Sequence, residues 1–172
     1  LQVVALLTME PPLGHQADAV RDEKHRAFCA MRPLAPNDVV RGQYAGYLRE
    51  EGVAPHSAVE TFAALRLHID TWRWAGVPFY VRAGKRLPVT TTEIWITLKR
   101  PPQTVFDDAP AAPNTVRFCL SPHVAISLGA RVKVPGEPLV GQTVDLLAQH
   151  LAGAETTPYE RLLGDALRGA AT

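Results

Sequence analysis

A cluster of cations follows an apolar segment near the middle of the chain. The stretch VPFYVRAGKRLP, residues 77–88, places Arg82, Lys85 and Arg86 where an alternating, strand-like pattern ends. Gly84 relaxes the backbone beside Lys85, so a lysine and an arginine that leave the strand there can point into a common space. Such a pair suits an anion or a polyhydroxylated ligand. On pattern alone the alternative is slightly favoured, namely that these charges keep an edge strand from aggregating.

Other residues with acid–base, metal or stacking chemistry are scattered. The six histidines show no HxxxH or HxH spacing and no close cysteine partner, so no metal site is predicted. His68 is the best single candidate for acid–base chemistry, although a surface histidine is the commoner case. Trp72, Trp74 and Trp95 are able to stack on a sugar ring, but burial in a core or an interface is the preferred interpretation.

The composition describes an ordinary globular protein. The chain has 172 residues, 47% of them apolar and 20% charged, with a net charge of +1, which does not favour nucleic-acid binding. The two cysteines, Cys29 and Cys119, form no CxxC pair, and with no signal peptide or long apolar run they predict a cytoplasmic protein with free thiols. Neither G-x-G-x-x-G nor a P-loop occurs, so no cofactor loop is predicted within this chain.

The helices expected to position these residues lie near both ends of the chain. Leu1 to Glu10 reads as a buried helix that two prolines end. A second helix is predicted from an N-cap at Asp18 to Pro33. A third is predicted from an N-cap at Thr157, with Pro158 in the first turn and Glu160 completing a capping box, through Leu167.

Between the helices the apolar residues alternate with a period of two, which is typical of strands with one wet face. Six such runs occur, at residues 65–69, 79–82, 94–98, 116–120, 124–128 and 132–134. The connections are mostly too short for crossover helices, so the pairing is predicted to be antiparallel. The predicted fold class is therefore α+β, a large and mostly antiparallel sheet with helices packed on one face.

Five segments together resemble glucose-6-phosphate dehydrogenase in order and spacing: VRDEK from residue 20, GQY from 42, TFAALRLHID from 61, WAGVPFYVRAGKRLP from 74 and YERLLGDALRG from 159. The resemblance implies that residues 1–172 are the C-terminal substrate-binding and dimerisation domain. It also implies that NADP is bound by an N-terminal Rossmann domain absent from this chain. The intact enzyme would oxidise D-glucose 6-phosphate to 6-phospho-glucono-1,5-lactone with NADP, the first step of the oxidative pentose phosphate pathway.

The same resemblance assigns substrate contacts to three positions. Lys85 matches the family lysine that contacts glucose 6-phosphate, Thr90 stands where a second basic contact is common, and Ser121 aligns with a position near the substrate. The general-base histidine would lie two residues upstream of Leu1, since Leu1 and Gln2 match the end of the motif N-H-L-L-Q. No catalytic residue is therefore expected here, and the chain alone is expected to be inactive.

The resemblance also bears on cofactors and partners. Arg82 matches an arginine that in animal relatives touches a structural NADP, but Thr91 and Trp95 replace its basic companions, so no structural NADP site is expected. The expected partners are glucose 6-phosphate and further copies of the chain, as a homodimer or dimer of dimers through the sheet, with no nucleic acid and no membrane. Two alternatives stay open: a non-catalytic assembly or sugar-phosphate-binding protein that kept only the sheet domain, and a carbohydrate-binding module that uses Trp72 and Trp74.

Overall fold

The computed structural model describes residues 1–14, 16–103, 105–106, 113–149 and 158–169. Within them the helices are α1 (Gln2–Thr8), α2 (Ala17–Cys29) and α3 (Pro158–Leu167), and two short 3-10 turns lie at Pro36–Asp38 and Tyr47–Arg49. The strands are β1 (Val39–Gly42), β2 (Phe62–His68), β3 (Pro78–Gly84), β4 (Thr92–Thr97), β5 (Thr115–Ser121), β6 (Ala125–Lys133) and β7 (Gly141–Gln149).

The chain folds as two compact units. The first unit is Leu1–Leu87 with the segment from Leu162 onward, and the second unit is Pro88–Arg161. The first contains a sheet of order β1-β2-β3 and the second a sheet of order β4-β5-β6-β7, and every neighbouring pair is antiparallel. The predicted α+β class with antiparallel pairing is confirmed. The described strands form two sheets, however, where one large sheet was expected.

The most buried apolar side chains of the first unit come from its two N-terminal helices and the far end of β2. Ala5 of α1 and Ala27 of α2 are buried, as are Leu67 and Ile69. The helices α1 and α2 pack against each other. An antiparallel bridge between Met31 and Ile69 joins the chain that leaves α2 to the chain that leaves β2. These contacts bury one end of β2, whereas residues 62–65 at its other end are only partly buried.

The start of α2 differs from the prediction. Its N-cap is Gln16, and Asp18, which was predicted to cap it, lies inside the first turn. There its carboxylate accepts a hydrogen bond of 2.9 Å from Arg21 Nη1, so the side chain is engaged by a neighbour one turn along and does not bond to the helix N-terminus. The third helix begins at Pro158, as predicted, while Thr157 lies outside the described residues.

The strand predictions are largely confirmed, with three differences. Residues 124–128 and 132–134 were expected to be separate strands, but residues 125–133 form one continuous strand, β6. Strands β1 and β7 were not predicted. The short β1 carries too few residues for a period to be read, whereas Val144, Leu146 and Ala148 of β7 do alternate.

Candidate functional site

Lys85 directly follows the last residue of β3, and its backbone is tied to the start of β2. The register of the hairpin places Gly84 opposite Phe62. One residue further on, the amide of Lys85 donates a hydrogen bond of 2.8 Å to the carbonyl oxygen of Thr61. The point at which the lysine leaves the sheet is thereby fixed by the pairing of two strands.

Gly84 is required by close packing. A Cβ at this position would lie 2.9 Å from Cδ2 of Phe62 and 3.3 Å from the carbonyl oxygen of Thr61. Real Cβ atoms essentially never lie within 3.0 Å of another heavy atom, so the ring of Phe62 or the backbone of Gly84 would have to shift. The absence of a side chain at Gly84 therefore leaves room for the ring of its strand partner Phe62.

Arg86 lies in the left-handed region of backbone conformation, with φ of 53°. For a residue other than glycine this costs about 1–2 kcal/mol. Its side chain makes two contacts with the segment that follows β1. Nη2 donates a hydrogen bond of 2.6 Å to Oε1 of Glu50, and the guanidinium carbon lies 4.9 Å from the ring centroid of Tyr44. Arg86 is thus engaged within the protein.

Burial and neighbouring charges both change the pKa of Tyr44. Partial burial, and after it the carboxylate of Glu50, raise the pKa of Tyr44, while the charge of Arg86 acts in the opposite direction. The backbone amide of Tyr44 donates a hydrogen bond of 2.9 Å to Oγ1 of Thr61. Thr61 therefore accepts hydrogen bonds from the backbone amides of both Lys85 and Tyr44.

The side chain of Lys85 is exposed and uncommitted. Across the described part of the chain, its Nζ has no hydrogen-bond or ion-pair partner, in contrast to the neighbouring Arg86. An internal ion pair would have to break before the ammonium could bind an external anion. Because none is present, the three donors of Lys85 are available to a ligand.

The other two predicted substrate contacts lie in the second unit and are close to each other. Thr90 is exposed and precedes β4 by two residues, and Ser121 is the last residue of β5. Strand pairing sets Thr92 opposite Ser121, and Oγ1 of Thr91 donates a hydrogen bond of 2.9 Å to the carbonyl of Ser121. The structure therefore brings the segment of Thr90 alongside Ser121, while Lys85 belongs to the first unit.

The tryptophans divide into engaged and exposed side chains. Nε1 of Trp74 donates a hydrogen bond of 3.0 Å to the carbonyl of Thr8, and its ring meets Phe79 edge to face at 5.4 Å. Trp95 lies under the guanidinium of Arg117 at 4.9 Å. Trp72 is fully exposed. Two of the three rings thus contact other side chains, but Trp95 is 59% exposed, and burial of the tryptophans in an interface stays a prediction.

Three further features bear on the class of site. A concavity of about 380 Å³ is lined by Gln43, Tyr44, Gly46, Tyr47, Leu48 and Arg49; Lys85 is not part of its wall. Among the residues that the structure describes, no three His, Cys, Asp or Glu side chains cluster as metal ligands. No helix in the same residues has the length and apolar character needed to cross a bilayer.

Fold and site together define a class: an α+β domain of antiparallel sheets with an uncommitted surface lysine placed at a strand end. The family follows from comparison with known proteins. The sequence model described as "Glucose-6-phosphate dehydrogenase, C-terminal domain" matches residues 1–172, and the chain belongs to this family. The resemblance drawn from the sequence is thereby confirmed.

The relatives are longer proteins. A "Glucose-6-phosphate 1-dehydrogenase" of Aggregatibacter actinomycetemcomitans is 44% identical over 100% of this chain and 38% of its own length. "Glucose-6-phosphate 1-dehydrogenase 1" of Mycobacterium bovis is 45% identical over 98% of this chain and 36% of its own length. The chain therefore spans less than two-fifths of these relatives.

Solved structures of the family have the same fold. The crystal structure of glucose-6-phosphate 1-dehydrogenase from Mycobacterium avium superimposes with a TM-score of 0.85 at 40% identity, covering 98% of this chain and 36% of that chain. A glucose-6-phosphate dehydrogenase "in complex with its substrate glucose-6-phosphate" gives 0.84 at 36% identity, covering 98% and 37%.

Proposed function

We propose that the complete protein is an NADP-dependent glucose-6-phosphate 1-dehydrogenase of the oxidative pentose phosphate pathway, working in the cytoplasm. It would oxidise D-glucose 6-phosphate to 6-phospho-glucono-1,5-lactone, and residues 1–172 would form its C-terminal substrate-binding domain. The observation that carries the proposal is the side chain of Lys85, which is exposed and without an internal partner in the described residues of a chain that belongs to this family.

Lys85 has the chemistry that a phosphosugar requires. An ammonium group donates charge-assisted hydrogen bonds to phosphate or hydroxyl oxygens, each worth about 1.5–3 kcal/mol. Because its backbone amide is bonded to Thr61 at 2.8 Å, the lysine begins from a fixed point and less freedom is lost on binding. An exposed ammonium whose backbone is held in place is therefore suited to bind an anionic sugar.

Thr90 and Ser121 stay predictions as substrate contacts. Both are exposed, and each offers a hydroxyl that can donate and accept a hydrogen bond. A neutral hydroxyl contributes less than a charged donor, so we expect Lys85 to dominate the affinity. Arg86 does not supply the missing second cation in our proposal, because its guanidinium already pairs with Glu50.

The residues of this chain do not fit a Rossmann-type NADP site. Such a site has a glycine-rich turn between a parallel strand and a helix, whereas every sheet pairing in the described residues is antiparallel and the sequence has no G-x-G-x-x-G. We therefore assign the coenzyme to a domain outside residues 1–172. The general base is assigned outside them as well.

Self-association through the four-stranded sheet is part of the proposal. Residues that face each other across neighbouring antiparallel strands share one side of the sheet, and one side of β4–β7 is apolar, built from Ile94, Ile96, Val116, Phe118, Ile126, Leu128, Val144, Leu146 and Ala148. On that side Leu146 is 61% exposed and Ile126 46%. An exposed apolar surface of this kind supports a homodimer or a dimer of dimers.

The proposal is tested by assaying the complete protein, expressed from its gene, for NADPH formation. We expect turnover with glucose 6-phosphate and far less with unphosphorylated glucose at equal concentration. Binding of glucose 6-phosphate without NADPH formation would contradict the proposed enzyme activity and favour the non-catalytic phosphosugar-binding protein. Absence of both binding and turnover would overturn the proposal.

A further inference from the structure

Three side chains lock the turn that carries Lys85. These are Arg86, Glu50 and Tyr44, together called the Arg86 clamp. Arg86 Nη2 lies 2.6 Å from Glu50 Oε1, and its guanidinium carbon lies 4.9 Å from the centre of the Tyr44 ring. Both partners come from the segment after β1, some forty residues earlier in the chain. The clamp therefore joins two segments that no strand pairing connects directly.

The clamp includes a residue, Arg86, whose backbone conformation is unfavourable without supporting contacts. Arg86 has φ of 53°, a left-handed conformation that a side chain other than glycine rarely adopts. Such conformations persist only where surrounding contacts determine them, and they concentrate at functional sites. The contacts to Glu50 and Tyr44 are the ones that meet this requirement here.

Thr61 couples the clamp to Lys85. Its carbonyl accepts the amide of Lys85 at 2.8 Å, and its own amide donates to the carbonyl of Gly42 at 2.9 Å. Its hydroxyl accepts the amide of Tyr44 at 2.9 Å. Lys85 is thus held on one side through Thr61 and on the other through Arg86, and both routes lead to the segment that contains Tyr44.

Global stability does not account for the clamp. The Arg86 and Glu50 side chains are 65% and 39% exposed, and ion pairs as exposed as this contribute little to folding. The clamp holds the side chain of Arg86, the residue that directly follows Lys85. Resting on the function proposed above, we propose that Arg86, Glu50 and Tyr44 are positioning residues that aim the ammonium of Lys85 at the phosphosugar.

The test uses Glu50→Gln in the complete protein, with Glu60→Gln as the matched control. Glu60 pairs with Arg41 at 2.7 Å, in the same unit and with nearly the same exposures of 67% and 42%. We expect Glu50→Gln to raise KM for glucose 6-phosphate about threefold, with kcat and KM for NADP unchanged. Glu60→Gln should change none of them.

The sign of the effect separates positioning from bulk electrostatics. Removing a carboxylate near a phosphate site makes the field more positive, so a purely electrostatic role for Glu50 predicts a lower KM. A lower or an unchanged KM, while Lys85→Ala raises it, would overturn the positioning role and leave the proposed function intact. If Lys85→Ala itself leaves KM unchanged, the proposed function of Lys85 fails, and the clamp proposal fails with it.

Three further variants keep the test independent of folding. Arg86→Gly keeps the left-handed turn at no steric cost but removes the guanidinium, so we expect its KM to rise as in Glu50→Gln, with Arg86→Lys between it and the wild type. In the Lys85→Ala background, Glu50→Gln should add almost nothing, because it acts through Lys85. Additive effects of the two substitutions would contradict the proposal.

Discussion

The amide nitrogen of Lys85 lies 2.8 Å from the carbonyl oxygen of Thr61, one residue beyond the last pair of the β2–β3 register. This bond extends the strand ladder by one step and ends it at the lysine. The following residue, Arg86, turns into the left-handed region. The boundary between regular pairing and the turn therefore falls at the residue to which we assign phosphosugar binding.

Gly84→Ala should destabilise the protein. The new Cβ would meet Phe62 Cδ2 at 2.9 Å and the Thr61 carbonyl at 3.3 Å, so either the aromatic ring or the strand must move. Overpacking of this kind typically costs about 1–3 kcal/mol. We expect a lower urea midpoint for the unfolding of the complete protein, and a raised KM for glucose 6-phosphate because Lys85 shifts with its neighbour.

Gly42→Ala is the control for that substitution. Gly42 is also a strand residue beside Phe62 in the register, but a Cβ there would meet nothing within 4 Å. Its free energy of unfolding should match that of the wild type to within about 0.5 kcal/mol. Equal stability of the two alanine variants would show that the close approach at Gly84 is unimportant.

Trp74 should act on stability and not on sugar binding. Trp74→Phe removes the donor to the Thr8 carbonyl at 3.0 Å and should cost about 1 kcal/mol, with KM for glucose 6-phosphate unchanged. Trp72→Ala, at a fully exposed position, should alter stability by no more than about 0.5 kcal/mol. Calorimetric titration with neutral sugars supplies the remaining check: tryptophan-dependent binding of glucose would instead favour the carbohydrate-binding module.

Asp38 should make stability depend on pH in the acid range. Hydrogen bonds from Arg66, and after them from the backbone amide of Ala35 at 3.1 Å, lower the pKa of Asp38. A lowered folded-state pKa gives a contribution that is fully present above the ordinary aspartate value of about 3.9 and is lost as pH falls through the folded value.

Comparison with Asp38→Asn isolates this contribution, because the substitution removes this carboxyl group and keeps every other titratable side chain. At neutral pH the wild type should unfold at a higher urea concentration than Asp38→Asn. The difference between the two urea midpoints should be smaller at about pH 3. A gap that stays constant or widens in acid would show that the carboxylate of Asp38 is not stabilised by Arg66.

Much of the sheet structure could be predicted because alternation is a local signal. Ile94 and Ile96 alternate with charged or aromatic neighbours, and the strand they predict is present as β4. Alternation says nothing about which strands pair, so the separation into two sheets was missed. Strand β7 could have been found, since Val144 and Leu146 show the same period as the strands that were predicted.

The candidate site was predictable only in part. Lys85 could be selected from its place after a strand and a glycine, and by resemblance to the family. The clamp could not, because Glu50 contacts Arg86 from a distant segment and nothing in the sequence marks an arginine for a left-handed backbone. The N-cap at Asp18 was mispredicted because a carboxylate that can cap a helix can equally pair with an arginine one turn along.

The most direct measurement of the central claim is KM for glucose 6-phosphate in the complete protein and in its Lys85→Ala variant. Loss of a charge-assisted contact worth about 1.5–3 kcal/mol should raise KM tenfold or more, while KM for NADP stays unchanged. Arg82→Ala, which removes an exposed cation three residues earlier, is the matched control. An unchanged KM in Lys85→Ala would contradict the assignment of Lys85 as the residue that binds the phosphosugar.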